Sequence, residues 1–228
     1  MPSVLPAPAS GRSPRSDGTE SRERILYTAL RLFAERGFAK TSTREIAKAA
    51  GVNIAAISYY FGDKAGLYAA TFNEPMGGNA GGFVPLFEVP GLATAEALRI
   101  YMTAYVEPLK HGEIVRQCMR LHMREMIEPT SQWAEEVERD IRGPHEALVR
   151  ILCRHLGLAT ADDDVHRLAL AVSGLAIQLF VMQDIVEALR PPLLDSADNI
   201  DIWAGRLHLY AMAMVDADAA RRAADTTA

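Results

Sequence analysis

Residues 42–61 read STREIAKAAGVNIAAISYYF, and the fold turns on how this stretch is parsed. Ser42 and Glu45 stand in S-x-x-E spacing, a capping box in which each side chain satisfies a backbone N–H of the first helical turn. Ile46, Ala47 and Ala50 form an apolar face, and Gly51 stops the helix. Asn53 is a good N-cap for a following helix, which turns Ile57 and Phe61 inward at i, i+4. Ala47, Val52 and Ile57 sit where the two short helices must pack on each other, and the small Ala47 lets them approach closely. The spacing predicts a helix-turn-helix with one helix free to enter a DNA major groove.

Working outward, a first helix is expected over residues 21–36, with Ile25, Ala29, Leu32 and Phe33 at helical spacing and Gly37 as its C-terminal cap. Another starts near Asp63 and runs through Leu67, Tyr68 and Phe72 toward Pro75. Residues 73–92 hold five glycines and three prolines, the composition of a loop or connector. Helical periodicity resumes over 94–110, 112–128, 130–142, 144–156, 163–189 and 199–222, with Thr130, Asp163 and Asn199 as N-caps. Gly143-Pro144 either separates two of these helices or kinks one long helix. No hairpin signal is flanked by alternating strands, so the chain is expected to be all-α. The domain reading is a disordered tail over 1–20, a DNA-binding domain over 21–72, a connector over 73–92 and an effector-binding and dimerisation domain over 93–228.

The 228 residues, 49% of them hydrophobic, can bury a sizeable core. Two cysteines, Cys118 and Cys153, make no disulfide framework and read as reduced thiols of a cytoplasmic protein. No basic start followed by an apolar run marks a signal peptide. The longest apolar run, Leu168 to Met182, is about 15 residues, short of the roughly 20 a spanning helix needs, so no membrane partner is expected. Charge is divided unevenly. Residues 21–72 carry eight basic and four acidic side chains, a balance of +4, which leaves −9 for residues 73–228 of a chain at −5. A basic head on an acidic body suits a polyanion-binding module joined to a separate domain.

The stretch 42–61, preceded by RERILYTALRLFAERGF and followed by GDKAGLYAATF, resembles the TetR family of bacterial transcription regulators. VNIAAISYYFGDKAGLY, together with MREMIEPT (residues 123–130) and SGLAIQLF (residues 173–180), resembles the subgroup with a CecR-type C-terminal domain. The helix-turn-helix reading assigns Ser42, Thr43 and Arg44, at the start of their helix, to a DNA phosphate. Lys64 offers a second phosphate anchor, a place the resemblance also gives it. Tyr59 and Tyr60 end the recognition helix, where a phenol can reach the backbone or, for Tyr60, pack inward. Asn53, Ile54, Ala55, Ala56 and Ser58 form the base-reading edge. Small apolar groups there suit thymine methyls; Asn53 fits either an adenine or the capping role, and its position favours capping. Many family members carry a basic or glycine residue near 54 or 55 and an aromatic at 58, so the departures bear on operator sequence rather than on DNA binding.

Single helix-turn-helix units usually pair on pseudo-palindromic sites. Leu168, Val172, Leu175, Leu179 and Met182 at 3–4 spacing, with Ile202, Leu209, Tyr210 and Ala213 on the final helix, supply a candidate pairing face, and the resemblance implies a four-helix interface of a homodimer. Met102, Tyr105, Met119, His122, Met123, Met126 and Trp133 are a candidate pocket for an unknown small-molecule effector, or plain core. The expected function is a ligand-responsive homodimeric repressor of a double-stranded DNA operator. A protein-interaction module without DNA binding and an enzyme are the alternatives. No nucleophile elbow, phosphate loop, H-E-x-x-H or C-x-x-C motif is present, so no catalysis, cofactor or metal is expected from the motifs. The six histidines are scattered.

Overall fold

A computed structural model describes residues 14–75 and 82–227, as two units divided between Thr71 and Phe72. Both are helical, with no strand among the described residues. The expectation for residues 1–13 lies outside that range.

The first unit contains α1 (Pro14–Lys40), α2 (Thr43–Ala50), α3 (Ile54–Phe61) and most of α4 (Lys64–Asn73). α1 begins seven residues before the predicted start and is broken at Gly37, whose positive φ of 81° ends the regular helix where a cap was expected. Ile25, Leu30, Phe33, Ile46, Ile57, Leu67 and Tyr68 form the core. Phe33 meets Tyr68 edge-on at 4.9 Å between ring centroids. Burial of seven such side chains supplies on the order of 10 kcal/mol of gross stabilisation, before chain entropy is set against it. The Thr41 hydroxyl donates to the Gly37 carbonyl (2.9 Å), tying the α1–α2 turn together.

The second unit contains α5 (Val84–Phe87), α6 (Thr94–Val106), a 3₁₀ turn (Glu107–Lys110), α7 (Glu113–Ile127), α8 (Trp133–Glu136), a π-helical turn (Val137–Ile141), α9 (Arg142–Leu156), α10 (Asp163–Val181), α11 (Gln183–Leu189), a 3₁₀ turn (Pro191–Leu193) and α12 (Ala197–Thr227). α10 is central and packs on α6, α7, α9 and α12. It is long and apolar enough to cross a membrane by length and composition. Here Val165, Leu168, Ala169, Val172, Ala176 and Leu179 are core. The Tyr101 and Ser173 hydroxyls share a hydrogen bond at 2.7 Å, and Ser173 also donates to the Ala169 carbonyl. Ser173 therefore serves the interior of the unit.

Some local expectations change, and one open alternative is decided. The stretch read as a connector, 73–92, includes α5, whose Phe87 is fully buried against Tyr101 (5.2 Å between centroids). Turn composition concealed an aromatic anchor. Gly143-Pro144 does not separate two helices: α8, the π-helical turn and α9 run on without interruption. Pro144 brings no N–H for the carbonyl of Asp140, and the wide turn lies immediately ahead of it. The N-cap of α10 is Asp162, which accepts from the Val165 N–H, rather than Asp163. Cys118 and Cys153 are both free thiols, and burial pushes the Cys118 thiol up to about 11.

Candidate nucleic-acid interface and ligand cleft

Three local devices position α3. The Ser42 hydroxyl accepts from the Glu45 N–H (3.2 Å) while the Glu45 carboxylate accepts from the Ser42 N–H (2.9 Å), completing the capping box. The Ser42 hydroxyl, which also donates to the Glu45 carboxylate (2.8 Å), and then the Ser42 N–H hold the Glu45 carboxyl below the usual carboxylate range. At the other end of α2, Gly51 adopts a left-handed conformation with φ of 66°, and the Val52 N–H reaches the Ala47 carbonyl (3.0 Å). This is a Schellman closure, which a β-carbon at Gly51 would strain. After α3, Asp63 accepts from the Gly66 N–H (2.8 Å), and a β-carbon built on Gly66 would stand 2.2 Å from the Phe61 carbonyl oxygen. Gly66 is a requirement that periodicity did not reveal, since its cause is a close backbone approach.

With α2 and α3 so placed, the predicted reading edge is open. Asn53, Ile54, Ala55, Ser58 and Tyr59 are exposed, Ala56 is half-buried, and Ile57 is the buried anchor. Tyr59 is 81% exposed, an extreme value for an aromatic residue with no core to join. Tyr60 is half-buried and stands edge-on to Tyr59 at 4.9 Å. Asn53 accepts from the Ala55 N–H (2.9 Å), so its side-chain oxygen is engaged in the cap. Arg44 and Ser42 are exposed and Thr43 half-buried at the start of α2. Lys64 holds its ammonium 4.2 Å from the centroid of the Phe38 ring, a cation–π contact that fixes the charge beside α4.

The residues proposed for the effector pocket do not converge. Met102 is core, Tyr105 packs among Phe83 and Tyr101, and Met126 is exposed. Trp133 is half-buried in the first turn of α8. Only Met119 and Met123 line a cleft of about 250 Å³, which α7 forms with Leu109, Phe180 and Val181. Arg116, Arg120 and Arg124 stand along its rim, paired with Glu113 (3.0 Å), Asp184 (3.9 Å) and Glu128 (3.3 Å). The buried stripe of α7 is instead Cys118, Leu121, His122 and Glu125. The buried Glu125 interrupts the apolar pattern, so of the candidate residues on α7 only His122 lies on this buried face. Glu125 accepts from both the N–H (2.6 Å) and hydroxyl (2.7 Å) of Thr130, which closes the turn after α7. His122 bonds through Nδ1 to the buried Glu136, and Asp140 lies nearby.

The predicted pairing face also divides. Leu168, Val172 and Leu179 belong to the interior of their own unit, and Leu175 packs against that core. The reason is that α10 is central and apolar around most of its circumference. Met182, Ile202, Leu209, Tyr210 and Ala213 remain exposed. Leu170 and Val181, which the 3–4 spacing did not select, are exposed as well.

A short exposed helix, held by a capped turn on a small basic unit, is the architecture of helix-turn-helix DNA-binding proteins. Residues 25–71 match the family described as bacterial regulatory proteins, tetR family. Residues 94–217 match the C-terminal domain of the HTH-type transcriptional dual regulator CecR. The chain belongs to the TetR family of bacterial regulatory proteins, with a C-terminal domain of the CecR type. It is 30% identical to the HTH-type transcriptional dual regulator CecR of Shigella flexneri over 155 residues, 64% of this chain and 69% of that protein. It is 53% identical over 54 residues to the probable HTH-type transcriptional regulator YttP of Bacillus subtilis (strain 168). That match spans only 24% of this chain and 26% of YttP. Among solved structures, HlyIIR, a hemolysin II transcriptional regulator, superposes with a TM-score of 0.56 at 26% identity, covering 78% of this chain and 97% of HlyIIR.

Proposed function

We propose that this protein is a cytoplasmic, non-enzymatic repressor that binds a pseudo-palindromic operator as a homodimer and releases it when a small molecule occupies the C-terminal domain. The observation that carries the reading is the exposed edge of α3, with Ile54, Ala55, Ser58 and Tyr59 presented on a capped, rigid turn. Thr43, Arg44, Tyr59 and Lys64 contact phosphates and set orientation; Ile54, Ala55 and Ser58 read bases, with apolar groups against thymine methyls. Asn53 serves as the cap, which removes its side-chain oxygen from base reading. The exposed Ile202, Leu209 and Tyr210 of α12 support pairing. The Met119–Met123 cleft with its arginine rim suits an effector with an apolar body and hydrogen-bond acceptors. Effector binding favours a conformer whose two reading helices no longer match the operator spacing.

Selection of bound duplexes from random DNA tests this directly. The expected product is a two-fold symmetric consensus with half-sites about 34 Å apart. Tyr59→Ala is expected to weaken binding to all selected sequences alike, and Ala55→Ser to change the consensus. A pool with no enrichment, or an asymmetric single half-site, overturns the reading.

A further inference from the structure

His122, Glu136 and Asp140 are left without a role by DNA binding and by the cleft. One ring nitrogen of His122 and one carboxylate oxygen from each acid lie within 4.8 Å of one another. We propose that these three side chains hold a divalent first-row transition-metal ion, a site that stands independently of the function argued above. One nitrogen and two carboxylate donors suit Zn²⁺, Co²⁺, Fe²⁺ or Mn²⁺; the set lacks the thiolates that copper(I) selects and the all-oxygen shell of calcium.

Three observations separate this site from an ordinary buried ion pair. Glu136 is 3% exposed, yet only one of its oxygens is engaged, by His122; Oε2 is buried with no hydrogen-bond partner. A buried carboxylate oxygen with no partner is costly and calls for a cation or water that satisfies it. Second, Asp140 lies in the π-helical turn 137–141, a rare geometry that concentrates at functional sites. Third, supporting groups hold the donors in place. The Phe72 ring stands edge-on to His122 at 5.1 Å. Arg139 grips both oxygens of Asp140 at 3.0 Å through Nε, and at 2.7 Å through Nη2. Oδ1, which accepts only from Nε, keeps a lone pair for a metal, and the guanidinium on Oδ2 orients the carboxylate as an outer-shell partner does.

The full-length protein, stripped with a chelator, is titrated calorimetrically with Zn²⁺ and optically with Co²⁺. The expected result is one ion per chain, with Co²⁺ ligand-field bands in the parent. Glu136→Gln and Asp140→Asn are each expected to weaken binding at least about ten-fold and to abolish those bands. The surface pair His145 and His166, whose rings meet at 3.0 Å between nitrogens, is the adventitious alternative. The double variant His145→Gln/His166→Gln is expected to bind as the parent does. Absence of saturable binding overturns the proposal, as does parent-like affinity in both carboxylate variants, or loss of binding in the histidine double variant. If Glu136→Gln fails to fold, the half-buried Asp140→Asn decides alone.

Discussion

At the scale of single residues, the protein depends on side chains that close helix ends. Ser42 and Glu45 cap α2, Asn53 caps α3, Asp63 starts α4 and Asp162 caps α10. Asp162 does more than cap, because the Arg222 guanidinium donates to both its oxygens at 2.7 and 2.9 Å. Those hydrogen bonds, followed by the one from the Val165 N–H, hold the Asp162 carboxyl well below the usual range, and the same pairing raises Arg222. The folded value lies under the unfolded one, so the fold favours the ionised form. The stabilisation is present in full above the ordinary aspartate range near pH 4 and is lost as pH falls toward the depressed folded value. Asp162→Asn is therefore expected to lower the urea midpoint at pH 7, with the gap from the parent narrowing below about pH 4. Urea melts at pH 7 and pH 3 check it. A gap that widens in acid contradicts the pairing.

Helix faces depend on more distant partners than helix caps do. The caps of α2 and α3 were legible because they depend on neighbours within four residues, and their spacing is written in the chain. The buried face of α7 was not, because two of its members are polar: Glu125 is buried against the Thr130 turn and His122 against Glu136 of the next helix. For α10, apolar spacing alone could not distinguish a core-facing leucine from a partner-facing one. Its neighbours α6, α7, α9 and α12 decide the matter. This separates two mutations. Leu179→Ala, at a 2% exposed site, is expected to lower unfolding free energy by about 2–5 kcal/mol while leaving the sedimentation coefficient unchanged. Leu209→Glu, at a 53% exposed site, is expected to keep the helical circular-dichroism spectrum and to sediment as a single subunit. A dimeric Leu209→Glu variant removes α12 from the interface.

For the molecule as a whole, the decisive quantity is the separation of charge, +4 over residues 21–72 against −9 over residues 73–228. A dimer presents two basic heads, and affinity for duplex DNA then includes counterion release. Operator affinity is expected to fall on the order of 10³-fold between 50 and 200 mM salt, and Lys64→Ala to reduce the slope. Fluorescence anisotropy across a salt series measures both. A flat response means that phosphates are not the anchor.

The order of residues along the chain was enough to establish an all-α fold, the helix-turn-helix and the charge division, because caps, turns and 3.6-residue periodicity are local and net charge is additive. Contacts across the fold decided which leucines of α10 face inward, that Phe87 anchors a supposed connector, and that His122 meets Glu136 and Asp140. Each of these joins residues from segments far apart in sequence or turned by a π-helical register, and local spacing carries no record of which distant side chain will be opposite.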